Sequence, residues 1–251
     1  MILGILQART SSSRLPNKVL KELLGEPMLA RQIERLQHSK RLDKLLVATS
    51  DQPEDRAIAA LCEKLDIPCF CGPLDDVLLR FYLAAQPYNP THIVRLTGDC
   101  PLVDPLVIDE LIELHLTGQY DYSSNCGNPS YPDGLDAEIM SGSTLATLQE
   151  KATTLTEREH VTYYVRSHSE QFSIGELQCT SSLAHLRWTV DEPADFELVE
   201  RIYQALYPTK PAFTTDDILA LLAQQPELAT LNTRHQRNEG LADSLAKENH
   251  I

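Results

Sequence analysis

Ten residues near the start, Arg9-Thr10-Ser11-Ser12-Ser13-Arg14-Leu15-Pro16-Asn17-Lys18, hold three cations and four hydroxyls. Hydroxyls and backbone N–H groups cradle phosphate oxygens, and an arginine fork binds them bidentately. A lysine is a movable point charge that can follow charge developing on a phosphoryl group. The same composition would also suit a solvated polar turn. What favours phosphate is position, because the loop directly follows the first apolar run, Ile2 to Leu6. Neither G-x-x-x-x-G-K-S/T nor G-x-G-x-x-G occurs, so this is not a P-loop or a dinucleotide fingerprint.

Two carboxylates stand at comparable places later in the chain. Asp99 ends the run His92-Ile-Val-Arg-Leu-Thr97-Gly98, and Asp191 ends Leu186-Arg-Trp-Thr-Val190. Magnesium binds through one or two carboxylates plus phosphate oxygens and water, so this pair beside a phosphate loop could hold the ion if their segments are neighbours. Asp191 could instead cap the helix that Pro193 starts. Asp104 precedes Pro105 and reads as an N-cap, and Asp195 as a partner of a helix dipole. Asp136 and Glu138 alternate with Leu135 and Ala137, so both face one side of an expected strand. They could bind hydroxyls or simply meet solvent. His160, in Glu157-Arg158-Glu159-His160, is the best candidate for a general base, or else a helix histidine bonded to a neighbour. Trp188 and Tyr163 read as core residues.

These groups need a scaffold that brings loops together. Short apolar runs at residues 2–6, 45–49, 67–71 and 92–97 read as strands, and helical spacings separate them. Alternating strands and helices imply parallel βαβ units with helices on both faces. Ligands of such sheets lie at the carboxyl ends of the strands, where the Arg9–Lys18 loop and Asp99 fall. After Gly118 the texture becomes α+β. Strands are expected near 121–124, 136–140, 172–179 and 186–190, and helices near 143–151, 156–168, 194–206 and 216–222. From Asn232 the chain is polar and reads as a loosely held tail.

Composition narrows the function classes. The 251 residues carry 36 acidic and 22 basic side chains, a net charge of -14, which argues against a nucleic-acid partner or an anionic membrane surface. Yet the first 21 residues contain Arg9, Arg14, Lys18 and Lys21 and no acid. Six cysteines without a C-x-x-C pair do not suggest a disulfide scaffold or a zinc site. With no signal-like or membrane-spanning run, a reduced cytoplasmic protein is expected.

The ordered set R-T-S-S-S-R-L-P-N-K, G-P-L-D-D-V-L-L-R at 72–80, L-T-G-D-C-P-L-V-D, Y-P-D-G-L-D-A-E at 131–138, E-R-E-H-V-T at 157–162 and R-W-T-V-D-E-P-A-D-F-E-L-V resembles the cytidylyltransferase family of spore coat polysaccharide biosynthesis protein F. That family is related to the 3-deoxy-manno-octulosonate and acylneuraminate cytidylyltransferases. The resemblance implies a GT-A-like, Rossmann-like nucleotidyltransferase fold, mostly parallel, with an α+β acceptor and dimerisation lobe. It divides the chain into a nucleotide half (1–118), an acceptor half (119–231) and the tail (232–251). It implies a homodimer, CTP as donor and Mg²⁺ as cofactor. Ala8, Arg9, Arg14, Lys18, Asp76, Arg80, Thr97, Gly98 and Asp99 would bind the nucleotide. Asp99 and Asp191 would hold the metal, and Lys18, Arg14 and Asp99 would act in catalysis. Asp133, Asp136, Glu138, Arg158, Glu159 and His160 would line the acceptor pocket. Two departures stand out: Asn17 where the motif has glycine, and Glu26 in place of lysine.

The implied reaction transfers CMP from CTP to a sugar or sugar acid and releases pyrophosphate, as a step toward a surface polysaccharide or glycan. Arg158, His160 or Arg187 could meet an acceptor carboxylate. The rivals are a non-catalytic nucleotide-sugar-binding or regulatory protein on the same fold, and a GT-A glycosyltransferase, whose D-x-D pair is absent.

Overall fold

The computed structural model describes residues 1–12, 14–233, 237 and 239–248. In chain order, β1 (Ile2–Gln7), β2 (Glu22–Leu23) and β3 (Glu26–Pro27) precede α1 (Met28–Leu36). Next come β4 (Lys44–Ser50), α2 (Arg56–Lys64), β5 (Cys69–Gly72), α3 (Val77–Ala85), β6 (His92–Thr97) and α4 (Pro105–Gly118). The second half holds β7 (Tyr122–Ser124), β8 (Glu138–Ser141), α5 (Gly142–Lys151), α6 (Leu155–Glu159), α7 (Tyr163–Ser167) and β9 (Ile174–Glu176). It continues with α8 (Pro193–Leu206), α9 (Thr215–Gln224) and α10 (Glu239–Glu248). Among these residues no helix is long and apolar enough to cross a membrane.

The main sheet has seven strands in the order β5-β4-β1-β6-β8-β7-β9. The first four are parallel, β8 is antiparallel to both its neighbours, and β9 is parallel to β7. Strand period decides which side chain reaches which face. Leu3, Ile5, Leu46, Ala48, Ile93 and Met140 pack with α3, α5 and α7 on one face. Leu6, Leu45, Val47, Val94, Leu96 and Ile139 pack with α1, α2, α4, α8 and α9 on the other. The expected α/β architecture is therefore present, with both faces covered.

Reversal of β8 matters for the site. Arg95 pairs in register with Glu138, so the start of β8 lies at the same sheet edge as the end of β6. Loops from both halves of the chain thus converge on one edge.

Three expectations are corrected. Residues 186–190 are not a strand. They make one isolated bridge, Arg187 to Asp133, because their N–H groups are shared between two loops: Trp188 and Thr189 donate to the Asp133 carbonyl and Val190 to that of Asp99. The helix expected over 156–168 is two short ones, α6 and α7. His160, at φ -102° and ψ 60°, leaves the helical conformation, which turns Thr162 toward Glu138. Nor is the tail loose where it is described: Asn232 is 3% exposed, and α10 packs on α6. Polarity misled there, because the burial of Asn232 rests on hydrogen bonds to the Arg187 carbonyl (2.9 Å) and Asp195 (2.8 Å).

Candidate active site

A cleft of about 750 Å³ opens along the shared edge, within the range of small-molecule sites. Its first wall is the loop after β1. Thr10 donates both its N–H and its hydroxyl to Asp55 Oδ1, each at 2.7 Å, and Ser50 donates to the other oxygen at 2.5 Å. Asp55 thereby fixes the loop from below. The loop then reverses at Asn17, whose φ of 57° lies in the left-handed region. Glycine suits that conformation, and asparagine is among the residues that tolerate it best. The departure from the family motif keeps the turn.

The turn delivers Lys18 into the cleft. Its Nζ donates to the Val190 carbonyl and to Asp191 Oδ1, both at 2.7 Å, and lies 3.6 Å from Asp99 Oδ2. Asp99 is held by close approach of two strand ends. Gly98 N donates to the Gln7 carbonyl at 2.8 Å, and a Cβ on Gly98 would lie 3.0 Å from Ala8 Cβ and from that same carbonyl. Burial opposes ionisation of Asp99, but Lys18 and hydrogen bonds from Thr97 and Cys100 outweigh it and hold the carboxyl below its usual range. Burial likewise opposes the charge on Lys18, and Asp99 and Asp191 more than restore it.

Asp191 meets three cations: Lys18, Arg14 at 3.1 Å and Arg187 at 3.2 Å. Arg14 also pairs with Glu192 at 3.3 Å. Arg187 is a hub, because it binds Asp195 through Nε and Nη2, each at 3.0 Å, and Asp133 at 3.0 Å. Gly134 makes this possible. At φ +109° its missing Cβ would lie 2.4 Å from Thr189 N. Ringed by carboxylates, Arg187 is a structural cation and not an anion receptor.

Asp99 and Asp191 both face Lys18 Nζ, at 3.6 and 2.7 Å, which places the two carboxylates at the same part of the cleft. No group of three or more metal-ligating side chains occurs among the described residues. Two carboxylates with the remaining positions left to water and phosphate are the donor set that Mg²⁺ accepts, so these residues fit the ion.

The α3 flank of the cleft has a different character. Arg80 is 2% exposed, lines the cleft, and has no hydrogen-bond partner for Nε or Nη1. Burial and the nearby Arg9 lower its pKa. Gln7 Oε1 is also buried without a partner and lies on the same sheet face as Leu3 and Ile5. Orphaned buried polar atoms are costly and usually mark a ligand position.

At the far end, Glu138 accepts hydrogen bonds from Tyr122 (2.5 Å) and Thr162 (2.6 Å) and forms an ion pair with Arg95. Burial works against its charge, but Arg95 and these donors win and hold its pKa at about 2. Asp136 behaves oppositely. Burial raises it to about 7, Arg237 opposes the rise, and Asp133 and Glu138 add to it. His160 lines the cleft, and burial lowers its pKa.

Of the residues picked out by sequence, the cleft gathers Ala8, Arg9, Arg14, Lys18, Arg80, Thr97, Gly98, Asp99, Asp133, Asp136, Glu138, Glu159, His160 and Asp191. Asp76 and Arg158 are placed elsewhere. Asp76 caps α3 and binds Arg158 at 2.9 and 2.6 Å, which commits both side chains to each other. Sequence reasoning missed Gln7, Arg95 and Arg166, all in the cleft wall. An arginine inside the apolar run of β6 was the available signal, since a buried charge needs a partner.

The chain matches the cytidylyltransferase family over residues 3–215. It is 32% identical to spore coat polysaccharide biosynthesis protein SpsF of Bacillus subtilis, over 91% of this chain and 97% of that protein. Among solved structures, a cytidylyltransferase from Leptospira borgpetersenii superposes with a TM-score of 0.88 at 29% identity, over 94% of this chain and 99% of that one. CMP:2-keto-3-deoxy-manno-octonic acid synthetase in complex with CTP shares the fold at a TM-score of 0.62 and 16% identity, over 81% and 98%. With a match that runs through the Arg9–Lys18 loop, Asp99 and Asp191 alike, the chain belongs to the cytidylyltransferase family.

Proposed function

We propose that this protein transfers CMP from CTP to the anomeric hydroxyl of a sugar acid, with Mg²⁺ held by Asp99 and Asp191. The observation that carries the reading is the convergence of Lys18, Arg14, Asp99 and Asp191 at one part of the sheet edge. The hydroxyl oxygen forms a bond to the α-phosphorus and gives up its proton to His160 or to water, the bond from the α-phosphorus to the α,β-bridging oxygen breaks, and pyrophosphate leaves with that oxygen. Such transfers need positioning and charge neutralisation more than covalent help from the protein.

The ion, when bound, neutralises phosphate charge and favours the attacking oxygen. Arg9 and Arg14 hold the phosphates. Lys18, with three donors on a flexible stem, turns from Asp191 toward the departing pyrophosphate. Gln7 Oε1 and the free N–H groups of Arg80 offer one acceptor and two donors. That set complements cytosine, whose amino group donates while its ring nitrogen and carbonyl accept. The CTP bound to the synthetase of the same fold agrees with this choice.

Arg166 supports a sugar acid as acceptor. It is exposed in the cleft wall, near enough to Glu138 and His160 to affect their ionisation, and no ion-pair or hydrogen-bond partner of its guanidinium occurs among the described residues. Arg158 and Arg187 are already committed to carboxylates. The test is a pyrophosphate-release screen of the four NTPs against sugar acids and neutral sugar phosphates, with and without Mg²⁺. Release confined to CTP, Mg²⁺ and a sugar acid is expected. Metal-independent CTP binding without release would favour a binding protein instead.

A further inference from the structure

We propose that Arg237 and α10 complete the acceptor end of the cleft, with Arg237 positioning Asp136 and Ser244 positioning His160. This rests on the assignment of Asp133, Asp136 and His160 to the acceptor. The nucleotide end is built from residues 7–18, 77–99 and 187–191, all inside the stretch matched to the family. The acceptor end is only partly so. Leu241 lines the cleft, and residues 237–248 lie beyond residue 215, where the family match stops.

Arg237 ties down the 131–136 segment at several atoms. It donates to the Tyr131 carbonyl at 3.1 Å, forms an ion pair with Asp136, and places Nε 3.8 Å from Asp133 Oδ1. Burial and the neighbouring Asp133 raise the pKa of Asp136, and Arg237 acts against the rise there and, with Arg187, at Asp133. Arg237 limits the rise at Asp136, which still stands at about 7, and so favours the carboxylate that accepts from hydroxyls of an acceptor. Without it, burial and the neighbouring carboxylate favour the protonated acid, which offers a donor where an acceptor is needed.

Ser244 works on the opposite wall. Its hydroxyl donates to Glu159 Oε2 at 3.0 Å and lies 3.0 Å from His160 Nε2. A hydroxyl that donates to a carboxylate can only accept from the ring, so Nε2 carries the hydrogen and the lone pair of the neutral imidazole stays on Nδ1. Glu248 accepts from Thr156 N at 3.5 Å and anchors the far end of α10 on α6. One helix thus fixes both the tautomer of His160 and the closing wall.

The test uses the full chain and its Arg237→Ala, Arg237→Lys and Ser244→Ala variants, with CTP, Mg²⁺ and the sugar acid that wild type turns over. Expected for Arg237→Ala is a rise of about 10-fold or more in acceptor KM, with CTP KM and kcat within about 2-fold. Arg237→Lys should restore most of the loss, since it returns the charge, and Arg237→Gln, which keeps a hydrogen-bond donor without the charge and should also raise acceptor KM, serves in place of Arg237→Ala if that variant does not fold. Ser244→Ala should displace the acidic limb of the pH profile of kcat. Equal rises in both KM values, or an unchanged acceptor KM, would overturn the proposal. If wild type releases no pyrophosphate from any pair of substrates, the proposed function itself has failed. Amide hydrogen exchange then decides: Arg237→Ala must speed exchange over 131–136 by about 10-fold while leaving 8–18 unchanged. No change at 131–136 would overturn the role of Arg237.

Discussion

Lys18 Nζ lies 2.7 Å from Asp191 Oδ1, a contact that joins two motifs 173 residues apart. Lys18 is only 9% exposed, so the contact carries stability as well as chemistry. Lys18→Met should lower the rate of pyrophosphate release by about 10²-fold or more. It should also cost about 1–3 kcal/mol in urea denaturation, because Asp99 loses its cation. Asp191 keeps Arg14 and Arg187, which limits the damage.

Asp99→Asn separates the metal from the fold. The amide keeps the shape and loses the charge. The Mg²⁺ concentration for half-maximal rate should rise by about 10-fold or more, with the thermal midpoint little changed. A metal titration of both proteins checks this, and an unaltered metal requirement would remove Asp99 from the ion.

Arg80 gives a prediction of opposite signs. Its Nε and Nη1 are buried without partners, a cost that the unliganded protein bears for binding. Arg80→Met should leave the thermal midpoint unchanged or raise it, and should weaken CTP binding by about 10-fold or more in calorimetry.

Gly134→Ala tests the scaffold alone. A Cβ there would lie 2.4 Å from Thr189 N and 2.5 Å from the Trp188 carbonyl carbon, at a φ of +109°. Backbone on both sides cannot retreat without breaking the Asp133–Arg187 bridge. We expect a loss of about 3 kcal/mol or more, read as a fall in denaturation midpoint.

Glu138 sets a pH dependence. Its folded pKa of about 2 lies below its ordinary 4.5, so the unfolded chain binds the proton more readily. The contribution to stability is therefore full above about pH 4.5 and fades as pH falls toward about 2. Glu138→Gln should flatten the stability profile between about pH 5 and about pH 3, measured by urea midpoints.

Much of this was legible in the residues. The Arg9–Lys18 loop and Asp99 each declare themselves locally, as charged residues following an apolar strand. The apolar runs of β1, β4 and β6 mark strands buried on both faces of a parallel sheet. What was not legible depends on partners far away in the chain. Asp76 and Arg158 are 82 residues apart, and only the packing of α3 on α6 pairs them and removes both from the cleft wall. Residues 186–190 alternate like a strand, but their hydrogen bonds serve two loops. The helix break at His160 goes with the contact of Thr162 to Glu138, which lies 24 residues away and which no local propensity encodes. Asn232 looked like the start of a tail because burial of a polar side chain is visible only with its acceptors in place.

The last point bears on the order in which the chain is made. Lys18 leaves the ribosome early, Asp191 much later, and Asn232, which braces Arg187 and Asp195, later still. Domains fold as units once their sequence is available. A growing chain that has already formed β1 and its cationic loop therefore has no partner carboxylate from the 191 region to close around. A protein truncated before Asn232 would lose the donor that braces Arg187 and Asp195, and with it the support beneath Asp133 and Asp191.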